Sequence, residues 1–75
     1  MARYYFDVTN GNGLECDSEG QELQSLDHVR HEAGRILSDI AKDEIPVSRN
    51  VSIKVAVRNS EGIKVHTGEL SFSSD

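Results

Sequence analysis

The chain holds little of what usually announces a chemistry. Among its 75 residues there is one cysteine, one proline, no tryptophan and only four other aromatics. A lone Cys16 cannot close an internal disulfide, which fits a reducing cytoplasm. One proline and six glycines leave no collagen-like or low-complexity tract, and 36% hydrophobic with 28% charged residues is the balance of a globular chain. No apolar run approaches the roughly 20 residues that cross a bilayer, so no membrane span is expected. The opening Met1-Ala2-Arg3-Tyr4-Tyr5-Phe6-Asp7 is strand-like and carries an acid, unlike a signal peptide. Bases are scarce: 8 against 13 acids, for a net charge of −5. Such a chain repels polyanions and anionic membranes at long range, which disfavours nucleic acid as a partner. Length is scarce too. A single domain over residues 1–75 commits most of its buried residues to staying folded, leaving little room for a deep catalytic pocket.

What is present is periodicity. Arg3 to Thr9 alternate, with Tyr4, Phe6 and Val8 on one side and Arg3, Tyr5, Asp7 and Thr9 on the other, the pattern of a half-buried strand. Asn10-Gly11-Asn12-Gly13 ends it, because Asn and Gly tolerate the backbone of a tight hairpin. A weak second strand is expected around Leu14-Glu15-Cys16, followed by a turn at Asp17-Ser18-Glu19-Gly20, with Leu23 at the core edge. Leu26, Val29, Ala33, Ile36, Leu37, Ile40 and Ala41 then recur at steps of three and four, predicting a helix over about residues 26–44. Ser25 is its N-cap, and Pro46, which lacks an amide hydrogen and restricts Ile45, ends it. Gly34 faces outward.

Val51, Ile53, Val55 and Val57 form the core side of the cleanest strand in the chain, with Ser52, Lys54, Ala56 and Arg58 opposite. A hairpin turn at Asn59-Ser60-Glu61-Gly62 leads to a last strand with Ile63 and Val65 inward and Lys64 and His66 outward. A bulge at Thr67-Gly68-Glu69 is expected to return Leu70 and Phe72 to the core, with Ser73-Ser74-Asp75 fraying beyond. The fold class is therefore α+β: a two-layer β-(β)-α-β-β sandwich, one long helix on a three- to four-stranded, mostly antiparallel sheet of spatial order 2-1-3-4.

One helix covers one face of such a sheet. Arg3, Tyr5, Lys54, Arg58, Lys64 and His66 are predicted on the other, a candidate interaction face with only Asp7 set against its bases. Residues 1–25 carry a net −4, residues 26–45 a net −2 and residues 46–75 a net +1, so the bases there stand apart from the acidic rest. The ordinary reading of such a face is solvated charge. Dimerisation through it or through the edge of the terminal strand is the second. Nucleic-acid binding is the weakest, since base stacking wants more aromatics than Tyr5.

No convergent catalytic set emerges, so no enzyme, no catalytic residue and no cofactor are expected. His28, His31 and Glu32 share a helix side at metal-compatible steps, but no third ligand is fixed by spacing and the pattern is not that of a zincin; a solvated helix face is the plainer account, and no metal is assigned. Asn10-Gly11-Asn12-Gly13 with Glu19 fails as a calcium loop because Val8 falls where the first Asp must be. The same glycines lead into no helix, which excludes a phosphate loop. Cys16 has no electropositive setting in sequence and reads as a structural thiol.

Taken together, Arg3-Tyr4-Tyr5-Phe6, the Asn-Gly turn, Asp17-x-x-Gly20 with Leu23, Ser25-Leu26, Glu32-Ala33, Leu37, Val57, Gly62 and Phe72 carry a resemblance over nearly the whole chain. It is similar to a family of short bacterial proteins, abundant in alphaproteobacteria, classed as a domain of unknown function. Val29 replaces a usual Ala, and Asn10 stands where an Asp is typical. The resemblance implies no activity, catalytic residue or cofactor. More loosely, the chain resembles the one-helix antitoxin domains that pair with RNA-cleaving toxins, although these carry three strands before the helix and no third is evident here. The expectation is a non-enzymatic cytoplasmic interaction module that self-associates as a homodimer or meets a protein partner; the alternative is an antitoxin-like regulatory partner acting through the basic sheet face.

Overall fold

The structure, a computed structural model, describes residues 2–74. Strand β1 (Ala2–Asn10) is followed by two short strands, β2 (Gly13–Glu15) and β3 (Gln21–Leu23). Helix α1 (Leu26–Glu44) runs into a single 3-10 turn at Ile45–Val47, and the hairpin of β4 (Asn50–Asn59) and β5 (Lys64–Ser73) completes the chain. All pairings are antiparallel, in the order β2-β1-β4-β5, with β3 also on β1. This is the expected α+β sandwich with one more strand: β2 and β3 share one edge of β1, pairing with its end (Val8 to Asn10) and its start (Ala2 to Tyr4). Three strands therefore precede the helix. Three residues are too few for alternation to register, which is why Gln21–Leu23 is silent in the sequence.

Local chemistry sets the element ends. Ser25 Oγ accepts the His28 amide at 3.2 Å and caps α1. Past Glu44 the chain tightens into the 3-10 turn that Pro46 occupies. In the β4–β5 turn, Asn59 Oδ1 accepts the amides of Glu61 and Ile63 at 2.9 and 3.0 Å. The helix lies over β4 and β5. Val29, Ala33, Leu37 and Ala41 meet Val51, Ile53, Val55 and Val57, and Phe6 joins from β1; these nine are the buried core. At roughly 1.5–3 kcal/mol for each large apolar side chain removed from water, this one-sided core carries most of the fold's stabilisation.

Four expectations along the last strand are corrected. The extra residue in β5 is Val65, not one at Thr67–Glu69: Val57 stands opposite His66 and Arg58 opposite Lys64. Gly68 is in regular register beneath the helix, where a Cβ would come within 3.2 Å of Leu37 and 3.3 Å of Val55, so it is a glycine for want of space. Placing the bulge earlier moves His66 to the helix side and leaves Ile63 outside the strand, 57% exposed. Leu26, expected in the core, is likewise 58% exposed on the first helical turn. The chain does not fray at Ser73, which ends β5, or at Ser74, whose amide donates to the Arg49 carbonyl at 2.8 Å. Asp75 and Met1, included in the readings of the two ends, lie outside the described residues.

Candidate functional site

Strand register defines the sheet face turned away from the helix. Arg3, Tyr5 and Asp7 of β1 stand on it with Glu22 of β3, Lys54 and Arg58 of β4, and Lys64 and Glu69 of β5. Of the six candidate residues, five are there. His66 is not; it lines a shallow hollow with Leu26, Asp27, Arg30 and Val65 on the helix side, because the bulge at Val65 reverses its orientation.

The face is not an unopposed basic patch. Arg58 holds Asp7 with two hydrogen bonds, Nε to Oδ2 at 2.9 Å and a longer one to Oδ1 at 3.4 Å. It also donates to the Asp17 carbonyl at 2.7 Å and lies 4.7 Å from the centre of the Tyr5 ring. Arg3 donates to the Glu19 carbonyl at 2.6 Å and sits 3.5 Å from the Glu22 carboxylate. Lys54 stands opposite Glu69 in the ladder. Two of the four bases thus hold the segment Cys16–Gly20 against the sheet, and a third faces an acid.

Asp17 is the centre of that arrangement. Its Oδ2 accepts the Phe6 amide at 3.1 Å, in the gap where neither β2 nor β3 reaches β1, and its Oδ1 accepts the Glu19 and Gly20 amides, both at 3.1 Å. Its own amide donates to Asp7 Oδ1 at 2.9 Å. The side chain therefore replaces a missing stretch of strand. Gly20 completes the turn at φ 73°, packed so closely that a Cβ would come within 2.8 Å of the Tyr4 carbonyl oxygen and 2.9 Å of the Tyr5 ring.

Partial burial works against the charge of Asp7 and of Asp17. For Asp7 it is outweighed by the Arg58 hydrogen bonds and the Asp17 amide, and for Asp17 by the Phe6, Gly20 and Glu19 amides with Arg58 nearby; both carboxyls stay below the usual range. The bond to Asp7 in turn raises Arg58. On the helix, Arg35 and then Gln21 hold Glu32 low against its burial. Glu32 is thereby tied to Arg35 and, at 2.8 Å, to Gln21 of β3, while His28 and His31 are exposed. Among the described residues no group of three or more His, Cys, Asp or Glu side chains gathers at metal-binding distances. Cys16 is exposed and unbridged.

The two sheet edges differ. One is broken into β2, β3 and the Asp17 plug. The other is the ten-residue β5. Ser74 bonds Arg49, its direct partner one step beyond Asn50↔Ser73, which makes that a hydrogen-bonded pair. Since such pairs alternate, Phe72, Leu70, Gly68 and His66 turn their backbone groups to β4, and Ser73, Ser71, Glu69 and Thr67 turn theirs outward. No described element covers them.

The sequence names the edge of the terminal strand as one route to self-association, but not the role of Asp17. The signal for Asp17 was Asp-x-x-Gly beside the alternating Arg3, Tyr5 and Asp7; the signal for the edge was a terminal strand from Thr67 to Ser73 with no Pro, no Lys and one charge. In comparison with known proteins, residues 3–71 match the model of a family described as a domain of unknown function (DUF6894). No curated protein and no solved structure shows a significant match. No helix among the described residues is long and apolar enough to cross a membrane.

Proposed function

The chain belongs to the DUF6894 family, whose function is unknown, and from that premise we propose that it is a non-enzymatic, cytoplasmic interaction module that self-associates through the free edge of β5. The observation that carries this reading is the contrast between the edges. Natural sheets blunt an edge with short strands, charge, Pro or a cover, and the β1 side has such devices. From Thr67 to Ser73, β5 has none except Glu69. Open backbone donors and acceptors on a strand this long are a template for another strand.

The basic face is the weaker surface, because Arg3 and Arg58 are engaged in holding the Cys16–Gly20 segment. The antitoxin-like alternative gains one supporting feature, the three strands before the helix, and loses half of its bases for the same reason. Reversing Lys54 and Lys64 is its proper probe, since changing Arg58 would disturb the fold.

Light scattering over a micromolar concentration series tests the edge reading. The wild-type mass should rise toward twice 8.3 kDa, and Ser71→Pro should hold it at 8.3 kDa. Proline there removes an outward amide and leaves the β4 ladder intact; an unchanged far-UV circular dichroism spectrum verifies that. A wild-type chain that stays monomeric at high micromolar, or a folded Ser71→Pro chain that associates equally well, contradicts the reading.

A further inference from the structure

Resting on that edge reading, we infer that the partner is a second copy of this chain, paired antiparallel β5 to β5 in one register, with Leu70 on the two-fold axis. Three constraints select it. A symmetric strand pair must keep helix-side residues opposite helix-side residues, or the two cores would face opposite ways. Beyond the Val65 bulge, the even-numbered residues face the helix side, so the paired numbers must both be even or both odd.

Hydrogen bonding adds the second constraint. Thr67, Glu69, Ser71 and Ser73 carry the outward amides and carbonyls, so they must meet one another. With Leu70 on the axis, Glu69 meets the second copy's Ser71 and Thr67 its Ser73, using every outward group from Thr67 to Ser73. The nearest alternative, centred on Glu69, pairs Thr67 with Ser71 and Glu69 with itself but leaves Ser73 opposite the bulged Val65.

Charge decides between them. Centring on Glu69 sets two carboxylates directly opposite each other, which destabilises a strand pair. Centring on Leu70 gives Glu69 a hydroxyl neighbour and places Leu70 against its own copy in a close, non-hydrogen-bonded pair. It also sets Phe72, 36% exposed in the single chain, opposite Gly68, which has no side chain to obstruct it. The half-buried Leu70 and the exposed Phe72 thereby gain apolar cover that the single chain does not supply.

Disulfide trapping reads the register at exposed sites that leave the core untouched. In a Cys16→Ser background that keeps Glu69, Thr67→Cys chains are oxidised in a mixture with Ser73→Cys chains and, separately, in a mixture with Ser71→Cys chains. Directly opposed Cα atoms in a hydrogen-bonded pair lie about 5.5 Å apart, within disulfide reach. The Thr67→Cys and Ser73→Cys mixture should give severalfold more linked dimer than the Thr67→Cys and Ser71→Cys mixture. Preferential linking of Thr67→Cys to Ser71→Cys would establish the other register and overturn this inference while leaving the edge reading in place. Absence of linking in every sample, with a dimer still seen by light scattering, also overturns the register alone. Absence of linking from chains that remain monomeric removes the edge reading with it.

Discussion

Asp17 does the work of several residues. Its carboxylate accepts three backbone amides, its amide reaches Asp7 and its carbonyl takes Arg58. The sequence shows it only as the start of a turn, because its other contacts are 10, 11 and 41 positions away. Asp17→Ala leaves the part-buried Phe6 amide without a partner, which typically costs about 1–3 kcal/mol. Urea unfolding should show that loss as a lower midpoint with an unchanged slope. The same contacts predict a pH dependence. Asp7, Asp17 and Glu32 are held below their ordinary range in the folded chain. Their contribution is therefore complete above the ordinary carboxylate pKa of about 4, and is lost as pH falls through the lowered folded values. A thermal melting series should be flat in this respect from about pH 6 to about pH 5 and fall steeply below about pH 4, less steeply in Asp17→Ala.

The longer elements were legible because their burial is periodic. Val51, Ile53, Val55 and Val57 are 0–5% exposed, as alternation implies, and the helix buries Val29, Ala33, Leu37 and Ala41 of the stripe its spacing marks out. Legibility failed where length or space, not period, decides. β3 is three residues held by its pairing with β1. Gly68 resembles a bulge residue in sequence, yet it is the cramped contact point of Leu37 and Val55. That single misplacement carried His66 onto the wrong face. The other five candidates share the outer face, but the engagement of Arg3 and Arg58 was not visible, since the Glu19 and Asp17 carbonyls that hold them come from the turn between β2 and β3.

Over the whole molecule, one helix on an open sheet gives an elongated body of 43 × 22 × 16 Å. Its radius of gyration of 12.9 Å exceeds the roughly 11 Å of a compact chain this long. The net charge of −5 acquires a structural meaning: acids of the first third, Asp7 and Glu22 among them, meet bases from both ends of the chain on the outer face. What remains unsatisfied is the β5 edge, and amide hydrogen exchange at that edge, followed by NMR at low and high micromolar chain, tests the account most directly. The amides of Thr67, Glu69, Ser71 and Ser73 should gain protection as concentration rises, while those of Gly68, Leu70 and Phe72, bonded to β4, stay protected throughout. Free exchange of the four outward amides at every concentration would contradict the claim that this edge is where the protein meets its partner.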